Sequence, residues 1–206
     1  MGIKQDVFGL EQVYRLQLEG NWSTRGEVWT SPSPFGKISP FGYFTGGQTN
    51  PSLVARLDFS SDSAGVSVRG PLSTSRYYSR GLSSSSHGYV VGGRNPSSTY
   101  HTTVDRIDYG NDTATALAKG PLSLPSYSLA ATGNINFAYF AGGRRAGSPP
   151  ETSRVDRIDY SNDTATASPK GPLSIARQGT ASTGNADFGY FGGGMGSTVP
   201  GSNISS

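Results

Sequence analysis

Apolar and polar positions alternate along three short stretches, residues 54–59, 104–109 and 155–160, each reading Val-x-Arg-x-Asp-aromatic. In the second, a period of two sets Ile107 and Tyr109 on one strand face and Val104, Arg106 and Asp108 on the other. The pattern predicts a β-strand whose core face carries Ile107 and Tyr109. The same parity pairs Leu57 with Phe59 and Ile158 with Tyr160, and places Arg56 with Asp58 and Arg157 with Asp159 opposite them. An Arg and an Asp two apart on one face predict an exposed ion pair worth ~0.2–1 kcal/mol.

A second phrase, Gly-Tyr-Phe-x-Gly-Gly or a close copy, occurs at residues 42–47, 88–93, 138–143 and 189–194. Its closing glycines, Gly47, Gly93, Gly143 and Gly194, fall about 50 residues apart, a period that means propeller blades or solenoid units. Turn phrases at 60–62, 110–112 and 161–163 and Gly-Pro-Leu-Ser from Gly70, Gly120 and Gly171 keep the same beat. One unit therefore reads as a glycine-closed strand, an alternating strand, a turn, a threonine/alanine strand and a serine-rich return. Two glycines closing a strand predict positive φ or a backbone passing too close for a Cβ. A phosphate loop would need a following helix with its Lys or a Gly-x-Gly-x-x-Gly frame, and neither is present.

Residues 13–21 align with 155–162 as a fourth, diverged alternating strand carrying Arg15, whereas the twelve residues after Gly194 hold no good copy. The chain thus starts inside a unit and stops just after the start of one. The expected fold is all-β, a β-propeller of four repeat units closed by the N-terminal strand, which removes two exposed edges. The alternative is a partial propeller completed by oligomerisation. Residues 1–12 then form an N-terminal arm or lead-in, and residues 13–206 carry the repeats.

Only 33% of the 206 residues are hydrophobic, but 11 tyrosines and nine phenylalanines supply large apolar area, as repeat β-proteins require. With no cysteine, disulfides, thiolate metal sites and cysteine nucleophiles are ruled out. The net charge of +3 is spread through the repeats, so no nucleic-acid stripe is expected. No apolar run follows a basic head, so neither a signal peptide nor a membrane helix is expected. Asp6 stands where a myristoylation motif needs a hydroxyl.

The glycine doublet, the period and the four-stranded unit together resemble kelch-like β-propellers over roughly residues 13–194. The tryptophan partner usual in those repeats is missing, since Trp22 and Trp29 both fall in the first unit. The wording of residues 155–174, Val-Asp-Arg-Ile-Asp-Tyr-Ser-Asn-Asp-Thr-Ala-Thr-Ala-Ser-Pro-Lys-Gly-Pro-Leu-Ser, resembles repeat proteins of marine tailed phages, particularly those infecting cyanobacteria. That resemblance implies a virion component such as a tail fibre, appendage or capsid-associated part, assembled in the host cytoplasm. It implies other virion proteins and a host surface glycan as partners, with homo-oligomer formation open.

Catalytic chemistry is thinly supplied. The two histidines are His87, in a slot held by Phe41, Phe137 and Phe188 in the other units, and His101, expected exposed in a loop. They form no metal motif, and no cofactor is expected. The Asp-x-x-Asn-Asp turn fails the calcium-loop spacing. The recurring Arg15, Arg56, Arg106 and Arg157 read either as clamps between units or as a guanidinium ring lining a binding surface. Loops after the glycine doublets vary most between units and are the expected recognition surface, with Arg94, Tyr100, His101, Arg144 and Arg145 as candidates. Two functions follow: a non-enzymatic virion scaffold, or a free carbohydrate- or protein-binding module.

Overall fold

The structure is a computed structural model that describes residues 40–61 and 63–196. Arg15 and its strand at 13–21, the arm at 1–12 and Asp62 lie outside the described residues. The chain divides into Met1–Ser33 and Pro34–Ser206, and all described residues belong to the second part.

The described elements are strands, joined by single turns of 3-10 helix at Phe59–Ser61 and Tyr160–Asn162. The first sheet runs β1 (Phe41–Thr45), β2 (Val54–Asp58), β3 (Ser67–Val68). The second runs β4 (Arg80–Ser83), β5 (His87–Val91), β6 (Val104–Asp108), β7 (Leu117–Ala118). The third repeats it as β8 (Ala130–Gly133), β9 (Phe137–Ala141), β10 (Val155–Asp159), β11 (Ser168–Lys170). Two strand pairs follow, β12 (Arg177–Gln178) with β15 (Met195–Gly196) and β13 (Ala181–Gly184) with β14 (Gly189–Gly192). All pairings are antiparallel. The fold is all-β, built of repeated antiparallel sheets.

The second sheet is sandwiched between the first and the third, so its alternating strand has two core faces and not the one that its pattern predicts. Val90 and Ile107 join Val54, Leu72 and Ala116 in a core between the first and second sheets. Tyr89, Val91 and Val104 turn the other way, into a core with Leu129, Phe140 and Ile158 of the third. Val104 is fully buried and Ile107 4% exposed although they face opposite ways. Burial on both faces explains why β5 reads as a run, Tyr-Val-Val, with no polar interruption.

The glycine doublets close β1, β5, β9 and β14 with every glycine at positive φ, including Gly47, Gly93, Gly143 and Gly194. At Gly93 (φ 99°) the chain also runs against its neighbour: its N–H donates to the Ser126 carbonyl at 2.9 Å, and a Cβ would sit 2.9 Å from the Tyr77 carbonyl oxygen. Both reasons for glycine therefore act at one residue.

The repeated arginine pairs with the next unit, not with the aspartate two positions along its own strand. Register sets Tyr43 opposite Arg56 and Tyr89 opposite Arg106, so ring and guanidinium share a face. The Asp112 carboxylate accepts from the Tyr43 hydroxyl at 2.9 Å and from Arg56 at 2.8 Å, with Arg69 at 3.5 Å. One unit later, Asp163 accepts from the Tyr89 hydroxyl (3.0 Å) and Arg106 (2.8 Å), with Lys119 at 3.2 Å. Burial works to raise the Asp163 pKa, but Lys119, Tyr89 and Arg106 outweigh it and hold the carboxyl below its usual range. Burial, joined by the same carboxylate, pushes the Tyr89 hydroxyl well above its ordinary value, and burial together with Asp112 pushes Tyr43 up to about 12. The strand aspartates Asp58, Asp108 and Asp159 instead accept from the N–H groups of Ser60, Gly110 and Ser161, opening the turn.

Candidate functional site: a tyrosine platform around Arg94

Arg94 follows the second glycine doublet, and its N–H and C=O exchange 2.9 Å hydrogen bonds with Tyr77. This pair of hydrogen bonds, with a bridge to Tyr100 on its other side, fixes the side chain among rings from three segments. The guanidinium carbon lies 5.2 Å from the Tyr77 ring centroid, 5.4 Å from Tyr78 and 5.3 Å from Tyr127. Those distances are within cation–π range. Tyr100 stacks on Tyr127 at 5.1 Å, and Tyr78 meets Tyr77 edge-on at 5.0 Å. Arg94 Nε is buried without a hydrogen-bond partner, and among the described residues no carboxylate pairs with Arg94.

Tyr78 is held at φ 57°, the left-handed region, with 48% of its surface exposed. The equivalent places one and two units on are Ser128 (φ 55°) and Gly179 (φ 62°). A bulky residue there costs on the order of 1–3 kcal/mol. The turn geometry belongs to the repeat, but among the described residues a tyrosine takes it only at Tyr78. The result is a half-exposed ring beside a cation with no acid to neutralise it, suited to stacking on a flat apolar face while offering N–H donors to a carboxylate or carbonyl.

Of the five loop residues that the sequence nominates, Arg94 and Tyr100 enter this platform. Arg145 and Tyr100 line an open cleft of about 310 Å³ beside it, with Leu124 and Pro125. Arg144 occupies the repeat position of Arg94 but lies 3.6 Å from Glu151, which neutralises it. His101, expected exposed, is partly buried, its Nε2 without a partner. Burial and the nearby Arg76 guanidinium push its pKa down. Tyr77, Tyr78 and Tyr127 fall outside those five, because they lie in the serine-rich return and not in a variable loop. Their signal is there in Arg76-Tyr77-Tyr78, where the next units have Ser126-Tyr127-Ser128 and Arg177-Gln178-Gly179. Among the described residues, no group of three or more acidic or histidine side chains is placed to hold a metal ion.

No protein-family model matches the chain, and no curated protein matches it either. A solved structure described as "Structure of YjhT" superposes with a TM-score of 0.61 at 15% identity, covering 75% of this chain. This chain spans about half of that one, 48% of its length. At such identity the likeness is one of fold.

Proposed function

We propose that this chain is a non-enzymatic structural part of a tailed-phage virion, a rigid β-propeller scaffold presenting the Arg94 platform to a partner or a host surface glycan. The observation that carries this reading is the strained, half-exposed Tyr78 beside an acid-free guanidinium on a body whose sheets are locked to one another by buried Tyr–Arg–Asp clamps. The wording of residues 155–174 supports the viral context. Locked sheets suit a particle part that must stay folded outside a cell, and a free carbohydrate-binding module would use the same platform.

Mass spectrometry of purified virions separates the two, since a particle component is present in fixed stoichiometry and a free module is absent. Glycan-array binding by the full chain, lost in Tyr78→Ala and Arg94→Ala, tests the platform in either setting. Propeller closure within one chain is part of the same proposal. Light scattering checks it, with a 21.6 kDa monomer expected for a closed ring and a discrete oligomer for an arc completed by other copies.

A further inference from the structure

The bridges that seat Arg94 recur one unit on. Arg94 bridges Tyr77 and Tyr100, and Arg144 bridges Tyr127 and Glu151, so Glu151 holds the place that Tyr100 holds in the second unit. Glu151 reaches the Arg144 guanidinium at 3.6 Å. With a tyrosine in that place, Arg94 has no acid of its own. Its Nε is buried without a partner, and no acceptor among the described residues takes its terminal nitrogens. The hydrogen bonds, ion pairs and ring contacts of Arg94, Tyr100 and Arg145 all lie among those residues. The third unit supplies its carboxylate from within, whereas the second leaves the guanidinium open to one from outside.

The cleft decides what accompanies that carboxylate. Tyr100 stacks on Tyr127 and also lines the cleft of about 310 Å³, whose other walls are Leu124, Pro125, Arg145 and Ala146. Leu124 is 37% exposed. Apart from the Tyr100 hydroxyl, these side chains offer no hydrogen-bond acceptor. A sugar ring seated there would therefore trade water for hydroxyl groups without partners, which is unfavourable. An apolar side chain loses nothing of that kind and gains from burial.

We propose that the Arg94 platform and its cleft bind a short segment of a partner polypeptide in which a carboxylate side chain stands near an apolar one. The carboxylate accepts from Arg94 through a charge-assisted hydrogen bond, taking the part that Glu151 plays for Arg144. The apolar side chain enters the cleft at Tyr100, Leu124 and Pro125. Arg145, exposed and without a carboxylate partner among the described residues, adds attraction for an acidic segment. This inference rests on the platform being a recognition site, as proposed above, and selects polypeptide over glycan as its occupant. It does not depend on the chain coming from a virion.

The test is an array of synthetic Gly/Ser peptides, each carrying one Asp or Glu at varied spacing from one Leu, Ile, Phe or Trp, probed with the full chain. The strongest binder is then titrated by fluorescence anisotropy. Saturable binding is expected, weakened about tenfold or more by exchanging the peptide's acid for its amide or by Arg94→Ala in the protein. Tyr100→Glu, which copies the third unit's internal acid, is expected to weaken it as much. Arg144→Ala, at an arginine already neutralised, is expected to leave it unchanged. No saturable binder in the array overturns the proposal, and so does a binder indifferent to the acid-to-amide exchange, a result read on the parent protein whatever the variants do. Glycan binding that Arg94→Ala abolishes, with no peptide bound, overturns the polypeptide occupant and leaves the platform standing as a recognition site. Absence of both kinds of binding overturns the platform itself.

Discussion

The guanidinium of Arg76 and the carboxylate of Asp105 lie 3.0 Å apart with neither side chain reaching solvent. Arg76 also donates to the carbonyls of Thr74 and Val90, and Asp105 accepts from Ser73 through both its N–H and its hydroxyl. Burial pulls the Arg76 pKa down and Asp105 works against it. Removing either partner strands a buried charge, which typically costs about 3–5 kcal/mol. Arg76→Ala is therefore expected to lower the urea midpoint by that equivalent with an unchanged slope, and an effect below about 1 kcal/mol would contradict a buried charged pair.

Two glycines at one repeat position are expected to respond in opposite ways. Gly120→Ala drives a methyl into the Ala165 carbonyl, and the overpacking is expected to cost about 3 kcal/mol. Gly171→Ala meets open space and is expected to stay within about 0.5 kcal/mol of the parent. Thermal or urea unfolding of the two variants side by side gives the comparison.

Two histidines create a mildly acidic stability limb. His87 is held below its usual value by burial and by the Arg106 charge, and His101 by burial and Arg76. Depressed folded values mean that the contribution is complete above the ordinary imidazole pKa, about 6.5. It declines as pH falls through that value toward the folded ones, because the unfolded chain takes up protons first. The urea midpoint is expected to drop between about pH 7.5 and about pH 5.5. His87→Phe, matching Phe41 and Phe137 elsewhere in the repeat, should flatten part of that drop.

Tyr160 presents the opposite sign. Its hydroxyl is buried without a hydrogen-bond partner, and burial followed by the neighbouring Tyr89 and Tyr109 raises its pKa. Its contribution is complete below the ordinary phenol value of about 10 and declines as pH climbs through the folded value. Tyr160→Phe removes an unpaired polar group and is expected to be neutral or stabilising by up to about 1 kcal/mol at neutral pH. Near pH 11 the variant should hold its fold better than the parent.

Local chemistry was legible in the sequence where the cause is local. The glycine doublets announce their positive φ, and the alternation in residues 104–109 announces β6 and its parity. The partner of Arg106 was hidden, because Asp163 lies 57 positions away and reaches it only when sheets stack. The nearer Asp108 looked suitable on the strand, but its carboxylate opens the turn at Gly110. Arg94 and Tyr100 stood out as loop variation, whereas Tyr77 comes to Arg94 through a bridge between segments and Tyr127 through its stacking on Tyr100, neither of which a single-strand pattern encodes.

The clamps also bear on how such a chain changes length. The first and second units each give a hydroxyl and cations forward to the turn acid of the next, so these two junctions are interchangeable. Duplicating or deleting one whole period would leave all surviving junctions matched, and neighbour-to-neighbour stability would carry over. A cut inside a period would instead leave an acid such as Asp163 buried without its donors. Descendants of this chain should therefore differ by whole periods of about 50 residues.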